Sequence, residues 1–164
     1  MGMDVYGVNP KIRKQTNSKL FKEVGKLGDD GWYEKWDKLS SEDKSKWSDE
    51  NNKLELDNPG IYFRNNIWWW RPLWDYVYDV CPDILDNNAR YDGGHGNGGT
   101  SFTAKEAEQI ADKLFEEIDS GNTEAYAKLY EIRTEDEEYN YPFSVVNVRE
   151  FAKFCEESGG FEIC

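Results

Sequence analysis

Histidine occurs once in these 164 residues, at His95, and cysteine only three times, at Cys81, Cys155 and Cys164. An odd set of cysteines without C-x-x-C spacing argues against both a disulfide framework and a zinc ribbon, and fits a reducing compartment. Long apolar runs are missing as well. No window approaches the roughly 18 apolar residues of a membrane span, and the opening Met1-Gly2-Met3-Asp4-Val5-Tyr6 lacks the basic and apolar regions of a secretory signal. Met-Gly at the start is one element of a myristoylation motif, but Tyr6 stands where that motif takes Ser or Thr. These absences predict a cytoplasmic protein without membrane contact.

Positive charge is scarce and unevenly placed. The formal net charge is −13; residues 1–28 hold six Lys/Arg against two Asp/Glu, and the rest of the chain 14 against 31. Sequence-independent nucleic-acid binding depends on neutralising phosphates with cations, so direct binding to DNA or RNA is not expected. The acidity reads first as a solvated surface, and second as a decoy that offers carboxylates where a partner expects phosphates.

Aromatic residues, by contrast, are concentrated. Residues 61–76 contain four tryptophans and two arginines. Each buried Trp needs apolar surroundings for its ring and an acceptor for its indole N–H, so the cluster specifies either an unusual core or an arginine-edged binding surface. Successive residues on a helix point about 100° apart, so Trp68, Trp69 and Trp70 cannot all enter one core. Trp70 and Trp74, four apart, are the core candidates. Arg64, Asn65, Asn66, Trp68, Trp69 and Arg71 are the candidate ligand-binding residues, suited to stacking on a planar ring and pairing with an anion. The competing and commoner outcome is core plus oligomer contact; the surplus of aromatics favours a homo-oligomer.

The pattern predicts an α+β, predominantly helical single domain over 1–164, with a small sheet joining the termini. Asp4 to Val8 alternates as a strand. Leu20, Phe21, Val24 and Leu27 give a helix from Lys19 to Leu27, ended by Gly28. Residues 29–58 are charged yet hold Trp32, Tyr33, Trp36, Leu39 and Trp47 at helical intervals, which predicts two short helices broken near Ser40-Ser41. Asn58-Pro59-Gly60 is a turn. Asn66 caps a helix through Trp68 to Val80, with Pro72 near its first turn and Cys81-Pro82 as its stop. Residues 87–102, with five glycines, read as a loop without regular structure. Thr103 and Glu106 form a capping box, opening a helix with Ala107, Ile110, Ala111, Leu114, Phe115 and Ile118 inward. A helix over about Thr123–Arg133 and one from Val148 to Ser158, capped by Asn147 with Glu150, follow; Gly159-Gly160 closes the last one, and Phe161–Cys164 is the returning strand.

Three segments together carry a resemblance: the opening Met-Gly-Met-Asp-Val-Tyr-Gly, the central Tyr-Phe-Arg-Asn-Asn-Ile-Trp-Trp-Trp-Arg-Pro-Leu-Trp, and the closing Val-Asn-Val-Arg-Glu-Phe-Ala-Lys-Phe-Cys with Gly-Gly-Phe-Glu-Ile-Cys. The chain resembles a family of small uncharacterised bacteriophage and bacterial proteins, in which a Gly-His-x-Asn-x-Gly loop, here Gly94 to Gly99, follows the aromatic motif. The resemblance covers about half the chain and implies a phage or phage-like origin. It marks 59–164 as the family-like body and 9–58 as a charged helical elaboration.

His95 lies in the glycine-rich stretch with Asp92 and Asn97, where backbone amides can cradle an anion and the imidazole can donate, accept or ligate. The stretch is neither a P-loop, since no Lys follows its last glycine, nor a dinucleotide fingerprint. A turn or a structural hydrogen bond is the first expectation for His95; Asp92, His95 and Asn97 join the ligand-binding candidates. One histidine and scattered carboxylates do not specify a metal site, and no cofactor is expected. Glu106, Glu108, Asp112, Glu116, Glu117 and Asp119 read as a solvated helix face. Taken together, the sequence points to a non-catalytic, phage-type protein that binds a small anionic or planar, nucleotide-like ligand and sequesters a host signal. A nucleic-acid-mimicking decoy acting on a host protein is the alternative, and a hydrolase using His95 the second alternative.

Overall fold

A computed structural model describes residues 2–27, 29–85, 88–135 and 141–164. It is an α+β fold, largely helical, with a four-stranded antiparallel sheet. The described chain separates into two units, residues 1–11 with 59–164, and residues 12–58.

In the larger unit, β1 (Gly2–Gly7), β2 (Tyr62–Asn66), β3 (Thr100–Phe102) and β4 (Phe161–Ile163) lie in the order β2-β1-β4-β3. Val5 sits opposite both Phe63 and Ile163, and Phe102 opposite Phe161. Strand side chains alternate between faces. Met3, Val5, Phe63, Phe102, Phe161 and Ile163 therefore share the buried inner face, while Tyr6, Tyr62, Arg64 and Glu162 share the outer one. Against the inner face pack α4 (Ile67–Val80) and α8 (Val145–Ser158), and α6 (Ala104–Asp119) packs on these two helices; the buried stripes of all three form one core with the sheet. α5 (Asn88–Gly94) and α7 (Asn122–Thr134) complete the unit.

Local chemistry explains most boundaries. Asn66 accepts the Trp69 amide at 3.1 Å and starts α4. Thr103 and Glu106 form the reciprocal capping box of α6. Gly159 ends α8 in the left-handed conformation, φ 61°, that a Cβ disfavours. Other boundaries correct the sequence expectations. Pro72 is the sixth residue of α4, so the Trp68 carbonyl forgoes its helical donor. The cap of α8 is Ser144, which accepts the Asn147 amide, and the helix starts three residues earlier than expected. Leu129 of α7 is exposed.

The largest correction concerns 87–102. Residues 88–94 form α5 and 100–102 form β3; Asp86 and Asn87 lie outside the described residues. Trp70 and Trp74, both wholly buried and stacked at 5.4 Å, donate their indole N–H groups to the carbonyls of Gly94 at 2.6 Å and Tyr91 at 3.0 Å. These bonds recruit a glycine-rich segment into a short helix.

The smaller unit holds α1 (Lys19–Val24), α2 (Trp32–Asp37) and α3 (Ser41–Asp57). α1 is shorter than expected because Gly25, at φ 86°, takes over as its C-cap; Gly28 lies outside the described residues. The break between α2 and α3 falls at Ser40, whose hydroxyl accepts the Asp43 amide. Trp32, Trp36 and Trp47 pack on one another at 4.9–5.4 Å, and the Trp47 indole N–H donates to Gly25 O.

A Cβ at position 94 would sit 2.1 Å from the buried Trp74 ring. Gly94→Ala is expected to cost about 2–3 kcal/mol, as overpacking of a full core does, read from the denaturant midpoint; an unchanged midpoint would show that α5 is not fixed by the tryptophans. A second prediction concerns acid. The Arg90 guanidinium, 2.5 Å from Glu106, is the main reason that carboxyl is held down at about 2; burial opposes it, and Thr103 assists. A carboxyl depressed on folding contributes stability above its unfolded value, near 4.5, that is lost as pH falls toward about 2. Glu106→Gln is expected to be less stable at pH 7 by about 1–2 kcal/mol and to converge with the parent near pH 2.

Candidate functional site

The aromatic motif is divided by its own geometry. β2 alternates, so Arg64 faces outward, with its Nε 3.4 Å from Asp4, and the Tyr62 hydroxyl donates to the same carboxylate. Asn65 faces inward and donates to Asn147 at 2.9 Å; Asn147 also donates to Trp69 O. Asn66 is spent as the cap. Along α4, Trp70, Leu73, Trp74 and Val77 are buried, leaving Trp68, Arg71, Asp75 and Tyr78 at three-and-four spacing on the solvent side.

That solvent side carries two linked clusters. Trp68, 51% exposed, stacks on Tyr141 with centroids 5.1 Å apart and planes at 28°. Arg71 Nη1 donates to the Tyr141 hydroxyl at 3.2 Å, and its guanidinium carbon lies 5.8 Å from the ring centre. One turn further, Asp75 Oδ1 accepts the Tyr91 hydroxyl at 2.6 Å and lies 3.0 Å from His95 Nε2. Burial pushes the Asp75 carboxyl up, but the His95 and Tyr91 hydrogen bonds, with the nearby Arg71 charge, bring it below the ordinary carboxylate range. The same bond, with burial, pushes the Tyr91 hydroxyl up to about 12. An ionised carboxylate only accepts. His95 therefore donates through Nε2, and a neutral imidazole presents Nδ1 as an acceptor.

Behind Tyr141, a cavity of about 450 Å³ opens between α7 and residues 141–143, walled by Tyr130, Thr134, Tyr141 and Phe143. Its size falls within the usual range for small-molecule sites.

The structure thus brings Trp68 and Arg71 together and places His95 one helical turn along the same face, through Asp75. It engages Arg64 in an ion pair with Asp4, and Asn65 and Asn66 in hydrogen bonds with Asn147 and the Trp69 amide, so that none of the three joins the Trp68 and Arg71 cluster. Trp69 is 36% exposed, its backbone held by Asn66 and Asn147. Asp92 accepts the His95 amide with its carbonyl, and Asn97 is an exposed turn residue. Tyr141, Tyr91 and Asp75 were not singled out from sequence. Asp75 had a signal, its four-residue spacing from Arg71; Tyr141 had none, since it meets α4 only through the fold. Cys81 is buried, which pushes its thiol up to about 12, out of reach of thiolate chemistry at neutral pH. Among the described residues, no helix is long and apolar enough to cross a membrane, and no three His, Cys, Asp or Glu side chains converge as metal ligands.

No family model, curated protein or solved structure matches this chain.

The Asp75 network makes a prediction. His95→Ala removes a donor while burial remains, so the Asp75 carboxyl should titrate at higher pH, with Tyr91→Phe acting in the same direction. Carboxyl carbon chemical shifts followed by NMR report it; a titration unchanged in both variants would show that the network does not hold the charge.

Proposed function

We propose that this chain is a non-catalytic binding protein of bacteriophage type, taking a small planar, anionic, nucleotide-like ligand on the α4 and Tyr141 surface and so sequestering a host signal. The supporting observation is the half-exposed Trp68 ring stacked on Tyr141, with Arg71 hydrogen-bonded at that ring's edge. Indole and phenol rings offer sequence-tolerant stacking to a base, and an arginine beside them pairs with a phosphate or carboxylate. Asp75 and His95 alongside add an acceptor and an adaptable ring nitrogen, so the surface suits a ring bearing its own N–H donors.

The test is calorimetric titration of the full chain with purine and pyrimidine mononucleotides and cyclic dinucleotides at two salt concentrations. Saturable binding is expected, with Trp68→Ala and Arg71→Ala each weakening it about tenfold or more, a loss of at least about 1.4 kcal/mol. Affinity should fall only modestly with salt. Failure of the whole panel, with a host protein captured instead in a steeply salt-dependent way, would replace this reading with the acidic decoy.

A further inference from the structure

The exposed face of α4 presents its charges in a fixed order, and that order selects among planar rings. Arg71 comes first. A guanidinium has five N–H donors, and Arg71 spends one of them, on Nη1, at the Tyr141 hydroxyl. Asp75 follows one turn later, its side chain 46% exposed. Its Oδ1 already holds two donors, the Tyr91 hydroxyl and His95 Nε2, while Oδ2 accepts nothing among the described residues. Asp79, a further turn along, is a second carboxyl, pushed up by burial and by the Asp75 charge. The charges beyond Arg71 are thus acidic, and an ionised carboxylate only accepts hydrogen bonds.

Length makes the first selection. Trp68 and Asp75 are seven residues apart on one helix, about 10 Å along its axis. A hydrogen bond of about 3 Å plus the long dimension of a bicyclic purine covers that span, and a single pyrimidine ring falls short. Charge order makes the second. Guanine carries two adjacent donors, N1–H and the N2 amino group, on one edge and two adjacent acceptors, O6 and N7, on the next. With its donor edge on Asp75, it offers O6 and N7 to Arg71, the pair of atoms that a guanidinium reads bidentately. Adenine sets the N1 lone pair against the carboxylate and its N6 amino hydrogens against the guanidinium, so both contacts have the wrong sign.

The geometry points to guanine as the ring this surface takes, with its donor edge on Asp75, O6 and N7 on Arg71 and its face on Trp68. The assignment rests on the proposal that the α4 surface binds a planar, nucleotide-like ligand, and it names the base. Arg71 keeps further N–H donors for a phosphate.

Titration calorimetry of the full chain with GMP, IMP, AMP and CMP tests it. GMP should bind at least tenfold more tightly than AMP, toward the lower end of what a bidentate base contact discriminates. IMP, which lacks the N2 amino group, should fall between them, and CMP should be weakest. In Asp75→Asn an amide NH2 group replaces the free carboxylate oxygen, so GMP loses affinity, AMP gains it, and the preference should vanish. If that variant fails to fold, the parent's ratio of GMP to IMP affinity decides, since equal values would show that N2 is not read. Equal binding of GMP and AMP, or a preference that survives in folded Asp75→Asn, would overturn the guanine assignment and leave the planar-ligand reading standing. Failure of all four nucleotides, and of the cyclic dinucleotides, would overturn both.

Discussion

The larger unit depends on where two indole N–H groups go. Trp70 and Trp74 are buried where water cannot serve them, and an unpaired buried donor costs about 1–3 kcal/mol. Both find backbone carbonyls in residues 91–94, so α4 and α5 are joined by hydrogen bonds that leave few alternative positions. The approach is close enough that position 94 admits no side chain. Once α5 is held there, Tyr91 and His95 arrive beside Asp75 as a consequence. The core interaction and the polar network on the surface are two faces of one helix pair.

The sheet imposes a second constraint. β1, at the start of the chain, lies between β2 and β4, so it must bridge strands drawn from the middle and the end of the sequence. Because side chains alternate, adjacent residues of β2 go to opposite faces, and the motif Tyr62 to Asn66 is parcelled out at single-residue intervals. Phe63 enters the core, Arg64 meets Asp4 outside, and Asn65 turns inward to Asn147. A continuous string of candidate residues in sequence thereby becomes three separate local structures.

What the sequence disclosed follows the same division between local and distant causes. Asn66, Thr103 with Glu106, and Gly159 cap their helices through neighbours within a few residues, and the periodic stripes of α4, α6 and α8 record a single buried face. The returning strand at 161–163 was legible because two glycines isolate it. β2 was not, since Arg64, Asn65 and Asn66 have little strand propensity and are held by pairing with β1. α5 was hidden for the opposite reason: its glycines disfavour a helix locally, while Gly94 is required by the Trp74 ring and Gly93 by the close approach of Thr100. Ser144 rather than Asn147 caps α8, because the Asn147 side chain is occupied by Asn65 and Trp69. For the candidate surface, Trp68, Arg71 and His95 were visible as residue types, whereas Tyr141, the ring that Trp68 stacks on, belongs to a distant segment with no pattern of its own.

On the proposed reading, the arrangement of charge also narrows what the α4 surface accepts. Arg71 is its cation, but Asp75 follows one turn away and is held ionised, and Asp79 lies one turn beyond. A bare phosphate would gain from Arg71 and be repelled by Asp75, so simple anions should be poor ligands. A planar ring that carries N–H donors at one edge and an anion at the other meets both charges with the right sign and places its face on Trp68. On that reading the acidic background of the chain would work as discrimination, disfavouring ligands recognised by charge alone, such as polyphosphates and nucleic-acid backbones, and leaving stacking with directed hydrogen bonds as the basis of affinity.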